Sequence, residues 1–227
     1  MEAPLLFPVN KLAEAGIPPY VGFSWIATAI IVVLAVLAKS SMKMVPTGVQ
    51  NFVEVIMEFF LDMAETSIGH MGRTFFPLMA TLGLFILVGN LLGLLPGGEA
   101  STGNLNTTVA LALPVFFATH YWGIKMHKFG YIKHFVGPIR SVAALPLMIL
   151  MFLIEVIGHL ARPLTLSVRL FGNMLAKHKI ILLLGILSPA VVPTVILGLG
   201  VLVSVIQAYV FVLLTALYLA GAVEEAH

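Results

Sequence analysis

The sequence has 227 residues, of which 60% are hydrophobic and only 10% are charged, and its mean hydropathy is +1.07. This composition excludes a water-soluble globular fold and predicts an all-α polytopic membrane protein with about five transmembrane helices. The absence of cysteine excludes disulfides, a thiol nucleophile and thiolate metal sites. The formal net charge of +2 indicates no particular partner, and we expect no nucleic-acid partner, cofactor or metal.

Long apolar stretches predict the membrane spans of a single membrane domain that covers residues 1–227. We expect these spans at residues 21–38, 75–95, 107–124, 142–187 and 194–223. About 20 apolar residues in a helix cross a hydrocarbon core of about 30 Å, and the last two spans are much longer than this. We interpret these two as a tilted hairpin, and an upright hairpin with protruding ends is the alternative.

Residues 48–68 differ from the spans, because apolar side chains fall on one side of a helix and acidic ones on the other. The acidic side carries Glu54, Glu58, Asp62 and Glu65. This pattern predicts an amphipathic helix at the cytoplasmic membrane interface. Membrane-surface helices usually have basic polar faces, so we interpret this acidic face either as solvated or as a docking surface for a partner.

Lysine and arginine residues in the predicted loops indicate the orientation in the membrane. They follow the first and third spans, as Lys39, Lys43, Lys125, Lys128, Lys133 and Arg140. The loop at 96–106 has none. We therefore expect the N-terminus outside and the C-terminus in the cytoplasm. Lys177 and Lys179 oppose this rule, which predicts a hydrated cavity or an interfacial position for their part of the fourth span.

A stripe of polar residues runs along the fourth predicted span. At about 100° per residue its members fall within an arc of about 80°. They are Glu155, His159, Arg162, Arg169, Asn173 and Lys177. An ionised group in mid-membrane costs from about 3 to more than about 10 kcal/mol, so such residues face water or a partner and usually mark an ion path.

Arg169 is distinct within this stripe, because a guanidinium cannot be deprotonated in a protein and acts only as a fixed charge. A fixed positive charge lowers the pKa of a passing carboxylate and keeps it ionised. No acidic residue lies one helical turn from Arg169 in the sequence. Its partner is therefore expected on another helix or another chain.

Three residues outside the stripe are candidates for the same site. Ser204 and Gln207 share one side of the last span with other polar residues, and Gln207 could face Arg169. We interpret them either as interhelical hydrogen bonds or as part of the ion path. His178 lies off the stripe and is either structural or a proton relay, since histidine titrates near neutral pH.

Residues 162–174 read RPLTLSVRLFGNM, and this run resembles the signature of subunit a of the rotary F-type ATP synthase. Glu155, residues 207–215 and the acidic tail at 224–227 also resemble that family. The resemblance extends over nearly the whole chain and is strongest in its C-terminal third.

The resemblance implies a stator subunit of the membrane Fo sector, also written CF(0), in the bacterial inner membrane. Such a subunit conducts H⁺ through two offset half-channels to and from the carboxylates of the c-ring. This hydrogen ion transport is coupled to rotation and to ATP synthesis, and the subunit itself is non-catalytic, with no ATP site. The implied partners are the c-ring, the b subunits of the peripheral stalk and the lipid bilayer.

The resemblance also implies roles for individual residues. Arg169 matches the family's essential arginine, which keeps the facing rotor carboxylate ionised and blocks direct proton flow between the half-channels. Asn173 and Gln207 resemble its polar neighbours, and Glu155 resembles a carboxylate that lines an access channel. Ser204 and His178 are further proton-path candidates.

One departure from the family pattern affects proton intake. Many relatives carry Glu where this chain has His178, and often His or Glu where it has Gly200. The intake relay is therefore not a simple acid–histidine pair. It uses either His178 with water or a carboxylate from another segment. We expect the choice between H⁺ and Na⁺ to reside largely in the rotor.

Two other functions compete with this resemblance. A secondary ion transporter with a buried midplane arginine predicts inverted repeats with paired broken helices, and the sequence has no matching halves. A purely structural anchor leaves the polar stripe unexplained. A soluble-type enzyme is disfavoured, because the sequence lacks a Gly-rich phosphate loop and an HExxH metal motif.

Overall fold

The computed structural model describes residues 7–40, 42–43, 46, 48–95, 97–128, 145–187 and 191–223. Within these residues all regular structure is helical, which confirms the prediction of an all-α protein. The α-helices are α1 (Phe7–Glu14), α2 (Pro19–Ser40), α3 (Val49–Ile68), α4 (Gly72–Leu92), α5 (Leu105–His127), α6 (Leu145–Leu187) and α7 (Val191–Val223). Short 3-10 turns lie at Gly69–Met71 and Ser101–Gly103.

Five helical segments in the described part of the chain are long and apolar enough to cross a membrane, which confirms a polytopic membrane protein. These segments are Pro19–Ser40, Val49–Leu92, Leu105–His127, Met148–Lys177 and Val195–Val223. The second segment includes α3, the 3-10 turn that follows it and α4.

Local chemistry explains where several helices begin and end. Pro19 is the first residue of α2, a position at which its missing N–H has no intrahelical partner to lose. Asn104 caps α5, since its side-chain oxygen accepts a hydrogen bond of 2.9 Å from the N–H of Asn106. Gly69 ends α3 with a φ of +74°, a backbone conformation that glycine adopts without strain.

Helix α4 is the central helix of the bundle. Its buried side chains join three apolar clusters, one with α3 and α7, one with α5, α6 and α7, and one with α1 and α2. At Gly83 of α4, a Cβ atom would lie 2.5 Å from Phe60 Cζ and 2.8 Å from Val212 Cγ2. Close packing at small residues stabilises membrane bundles, because lipid supplies no hydrophobic drive for helix association.

Helices α6 and α7 pack through one face and expose the other. Leu166, Leu170 and Met174 of α6 are buried, as are Ala208 and Phe211 of α7. The outward side chains of both helices are mainly large and apolar, and they include Ile157, Leu160, Leu164, Val168, Leu202, Val205 and Ile206. This exposed surface suits lipid or another membrane protein.

Candidate functional site

Arg169 lies within α6 on the side that faces away from the bundle. It is exposed, whereas Leu166 and Leu170 beside it are buried in the core. The ion pairs among the described side chains involve other residues, so none of them neutralises Arg169. A permanent cation therefore projects from an apolar helix face, where lipid alone solvates it poorly.

A buried polar cluster lies on the C-terminal side of Arg169. We name it the Lys177 cluster, and its buried members are Asn90, Ser101, Thr102, Lys177 and Ser204. The ammonium of Lys177 donates to Ser204 Oγ at 3.2 Å and to the backbone carbonyl of Asn90 at 3.5 Å. Ser204 Oγ in turn donates to a carbonyl one turn earlier in α7. The lysine is thereby held by oxygen atoms from two other helices.

The 3-10 turn at Ser101–Gly103 brings further polar groups into this cluster. Thr102 Oγ1 donates a hydrogen bond to Asn90 Oδ1, and Ser101 lies against Gly89 of α4. A Cβ atom at Gly89 would lie 2.5 Å from Ser101 Oγ, so glycine permits this close approach. Asn90 Nδ2 and Ser101 Oγ are buried without a hydrogen-bond partner among the described residues, and such atoms are typical binding points for buried water.

Asn173 and Gln207 connect this cluster with the neighbourhood of Arg169. Asn173 Nδ2 donates to Gln207 Oε1 at 2.5 Å across α6 and α7. Asn173 is one helical turn from both Arg169 and Lys177, and Gln207 is one turn from Ser204. An open groove of about 390 Å³ runs along Asn173, Lys177 and Gln207.

Gly200 forms part of the same groove. A Cβ atom at this position would lie 2.6 Å from Leu94 Cδ2 and 3.6 Å from Lys177 Cδ. The stem of Lys177 therefore lies beside the glycine, in the direction a larger side chain at position 200 would take.

A second polar cluster lies on the N-terminal side of Arg169. We name it the His159 cluster, and its members are His120 of α5, Glu155, His159 and Arg162 of α6, and Tyr218 of α7. His159 Nε2 is 3.2 Å from Glu155 Oε1. The imidazole rings of His120 and His159 meet edge to face, with centroids 5.1 Å apart. The guanidinium carbon of Arg162 lies 5.4 Å from the ring centroid of Tyr218. His120, His159, Arg162 and Tyr218 together line a small cavity.

The two clusters lie on opposite sides of Arg169 along α6. His159 precedes Arg169 by about 15 Å and Lys177 follows it by about 12 Å, at the helical rise of about 1.5 Å per residue. Polar groups therefore approach the arginine from both ends of the helix, whereas apolar side chains surround it on the exposed face.

The structure brings most of the candidate residues from the sequence into these clusters. Asn173, Gln207 and Ser204 adjoin the groove, and Glu155 joins the His159 cluster. Gln207 pairs with Asn173, which is one helical turn from Arg169. His178 lies in α6, but its side chain is outside the described part of the structure.

Sequence reasoning missed the partners that other helices supply. Asn90 and Thr102 accompany Lys177, and His120 accompanies His159. The helical period predicted Lys177 and His159 as candidate site residues, because it places both on the polar stripe. Asn90 had a weaker signal, as an amide that interrupts an apolar span.

These features define a polytopic all-α membrane protein with an exposed arginine between two polar clusters on one helix. Residues 21–220 match the family described as ATP synthase A chain. The chain is 48% identical over 223 residues to ATP synthase subunit a 1 of Pelobacter propionicus, covering 98% of this chain and 94% of the relative. It is 47% identical to ATP synthase subunit a of Geobacter sulfurreducens, with the same coverage.

ATP synthase subunit a of Trichlorobacter lovleyi is 49% identical over 205 residues, which cover 90% of this chain and 87% of the relative. The chain therefore belongs to the ATP synthase A chain family, and the resemblance seen in its sequence is confirmed.

Proposed function

We propose that this chain is the stator subunit of the ATP synthase proton channel, and that it exchanges protons with carboxylates of the c-ring at Arg169. The observation that carries the proposal is the position of Arg169, exposed on an apolar face of α6 between two polar clusters. The peripheral-stalk b subunits are its static partners in this proposal, and the c-ring is its moving one.

The exposed arginine requires an anionic partner that moves past it within the membrane. A guanidinium keeps its charge at every relevant pH, so it carries no proton itself. It can hold a facing carboxylate in the ionised form, and it repels protons that would otherwise cross directly between the two clusters. Proton flow then requires that each rotor carboxylate leaves the arginine, binds a proton and moves on.

The Lys177 cluster is our candidate for the outer half-channel. Exposed lysines follow α2 and end α5, whereas the turn at Ser101–Gly103 lies at the opposite, lysine-poor end of α5. This distribution supports an external N-terminus and a cytoplasmic C-terminus by the positive-inside rule. The outer half-channel then begins near Ser101, follows Asn90 and Lys177, and reaches Arg169 through Asn173.

The His159 cluster is our candidate for the inner half-channel. It lies in the half of α6 nearer the basic, cytoplasmic end of α5, and Glu155 is half-buried there. A proton that moves between the two half-channels crosses the full membrane potential. Each such charge is worth about 2.3 kcal/mol per 100 mV, which is the energy available for rotation and ATP synthesis in the inner membrane.

The decisive test is Arg169→Gln in the assembled ATP synthase, measured as ATP-driven proton pumping in inverted membrane vesicles. We expect pumping to be abolished, because the neutral amide holds no carboxylate ionised. Arg73→Gln is the matched control, since Arg73 pairs with Glu65 at the exposed start of α4 and should retain pumping. Undiminished pumping by Arg169→Gln would favour a structural anchor instead.

A crosslinking experiment tests the rotor contact separately. The chain has no native cysteine, so Val168→Cys and Ile206→Cys provide single thiols on the exposed face of α6 and α7. We expect both to crosslink to cysteines introduced in the c subunit. Ala112→Cys is the control, because that position is buried between helices. Absence of any product from both exposed positions would contradict the proposed rotor surface.

A further inference from the structure

Two histidines from different helices face each other in the His159 cluster. The ring centroids of His120 and His159 are 5.1 Å apart with an interplanar angle of 67°. His159 is largely buried, with 11% of its side chain exposed, and Glu155 is 35% exposed. The contact between His159 and Glu155 therefore joins a buried imidazole to a partly exposed carboxylate.

The hydrogen bonds assign the ring protons. His120 Nδ1 is 2.9 Å from the carbonyl oxygen of Phe116, and a carbonyl only accepts, so Nδ1 carries hydrogen and the basic lone pair of the neutral ring is on Nε2. His159 Nε2 is 3.2 Å from Glu155 Oε1, so an ionised Glu155 accepts from that nitrogen. The lone pair of a neutral His159 is then on Nδ1, and that of a neutral His120 is on Nε2.

The charges around the pair limit how many protons it holds. Glu155 lies 3.2 Å from His159 and Arg162 is on the next turn of α6, so a second proton would place two imidazolium charges close to a guanidinium. Tyr218 of α7 adds a neutral hydroxyl to the same cavity. Two imidazoles that compete for one proton can pass it on without a large change in net charge.

We propose that His120 and His159, together with Glu155, form the proton relay of the inner half-channel. In each transfer an N–H bond of one imidazolium breaks as the other imidazole, or a water between them, forms a new bond to the same proton. The transfer involves no oxidation or reduction, and the net charge of the pair is restored when Glu155 or water takes the proton. This inference rests on the proposed function and adds the residues that move the proton.

The first test is the pH dependence of proton flux in the assembled enzyme with His120→Gln, His159→Gln and both changes. We expect passive proton flux through F1-stripped vesicles to fall at least about tenfold in the double variant. Its variation between about pH 6 and pH 8, the range in which histidine titrates, should also be lost. His70→Gln, in the exposed turn Gly69–Met71, is the control and should keep the wild-type profile.

A second variant separates a relay from a packing role. His159→Ala removes the ring, and added imidazole should restore flux several-fold in a pH-dependent manner if the ring carries protons. A loss of flux that imidazole leaves unchanged, with a pH profile parallel to the wild type, would overturn the relay. If His159→Ala fails to assemble, an unaltered profile in His120→Gln overturns it equally well.

The outcome for Arg169→Gln distinguishes this inference from the proposed function. If Arg169→Gln abolishes pumping and the histidine variants keep the wild-type pH profile, the relay is wrong and the stator function stands. If Arg169→Gln pumps normally, the proposed function itself fails, whatever the histidine variants do.

Discussion

The two clusters that flank Arg169 are built from different chemistry. The Lys177 cluster consists of one ammonium, three hydroxyls and amide or carbonyl groups from α4 and α7. The His159 cluster contains two imidazoles, a carboxylate and a guanidinium. The first is a hydrogen-bonding network around a single ammonium, whereas the second places a carboxylate and a guanidinium beside two imidazoles. The polar groups on the two sides of Arg169 along α6 therefore differ in their chemistry.

Because of this difference, substitutions in the two clusters should affect proton flux in different ways. Changes in the Lys177 cluster should alter proton flux through lost hydrogen bonds and lost space for water. Changes in the His159 cluster should alter the pH profile itself. Single substitutions in each cluster test whether the two clusters differ in this way.

Lys177→Met should produce the largest effect within the Lys177 cluster. The substitution keeps most of the side-chain volume but removes the donor to Ser204 and Asn90. Buried acceptors that lose a charged donor cost about 1–3 kcal/mol, so we expect proton flux to fall by about 10- to 100-fold. The measurement is passive proton flux through F1-stripped vesicles. Lys179→Met, at an exposed position of the same helix, is the control. An unchanged flux would remove Lys177 from the path.

Gly200→Val should disturb the same cluster by steric means. Its Cβ would lie 2.6 Å from Leu94 and 3.6 Å from the stem of Lys177. Overpacking of this kind costs about 1–3 kcal/mol, so we expect a lower thermal stability of the purified complex and reduced flux. Gly198→Val is the matched control, because a Cβ at that position has no neighbour within 4 Å. Equal losses in both variants would indicate a general helix effect.

Asn173→Ala should have a moderate effect. It removes the hydrogen bond that Asn173 donates to Gln207. Because Gln207 is buried, its side-chain oxygen then loses this donor. The expected loss of about 1 kcal/mol corresponds to a roughly fivefold reduction in flux. The shape of the pH profile should stay the same. Asn51→Ala, at an exposed position of α3, is the control and should change neither the flux nor the pH profile. A changed profile shape would contradict the separation of the two clusters.

Tyr218→Leu should have the smallest effect of the four. It removes the ring over which Arg162 lies at 5.4 Å, an interaction of about 0.5–1 kcal/mol. We expect proton flux to change by about two- to fivefold, with a shift in its pH profile because Arg162 is then less restrained beside His159. Tyr218→Phe keeps the ring and should behave as the wild type. A similar loss in both variants would assign the effect to the hydroxyl.

Particular residues show how far the sequence leads. The helical period aligned His159, Arg169 and Lys177 on one stripe, because a helix repeats the same geometry at every turn. The amide pair of Asn173 and Gln207 could not be predicted, since the register between α6 and α7 depends on how Leu170 and Phe211 pack. The position of Lys177 beside Gly200 depends on the same register.

The sequence by itself determined the all-α membrane class, the five apolar segments and the isolated charge at Arg169, because composition and helical period are local properties. The tertiary structure alone decided that Asn90 receives the ammonium of Lys177 and that His120 meets His159. Those pairs join residues from separate helices, and their contacts arise from close packing of side chains around α4 and α5, which no local pattern encodes.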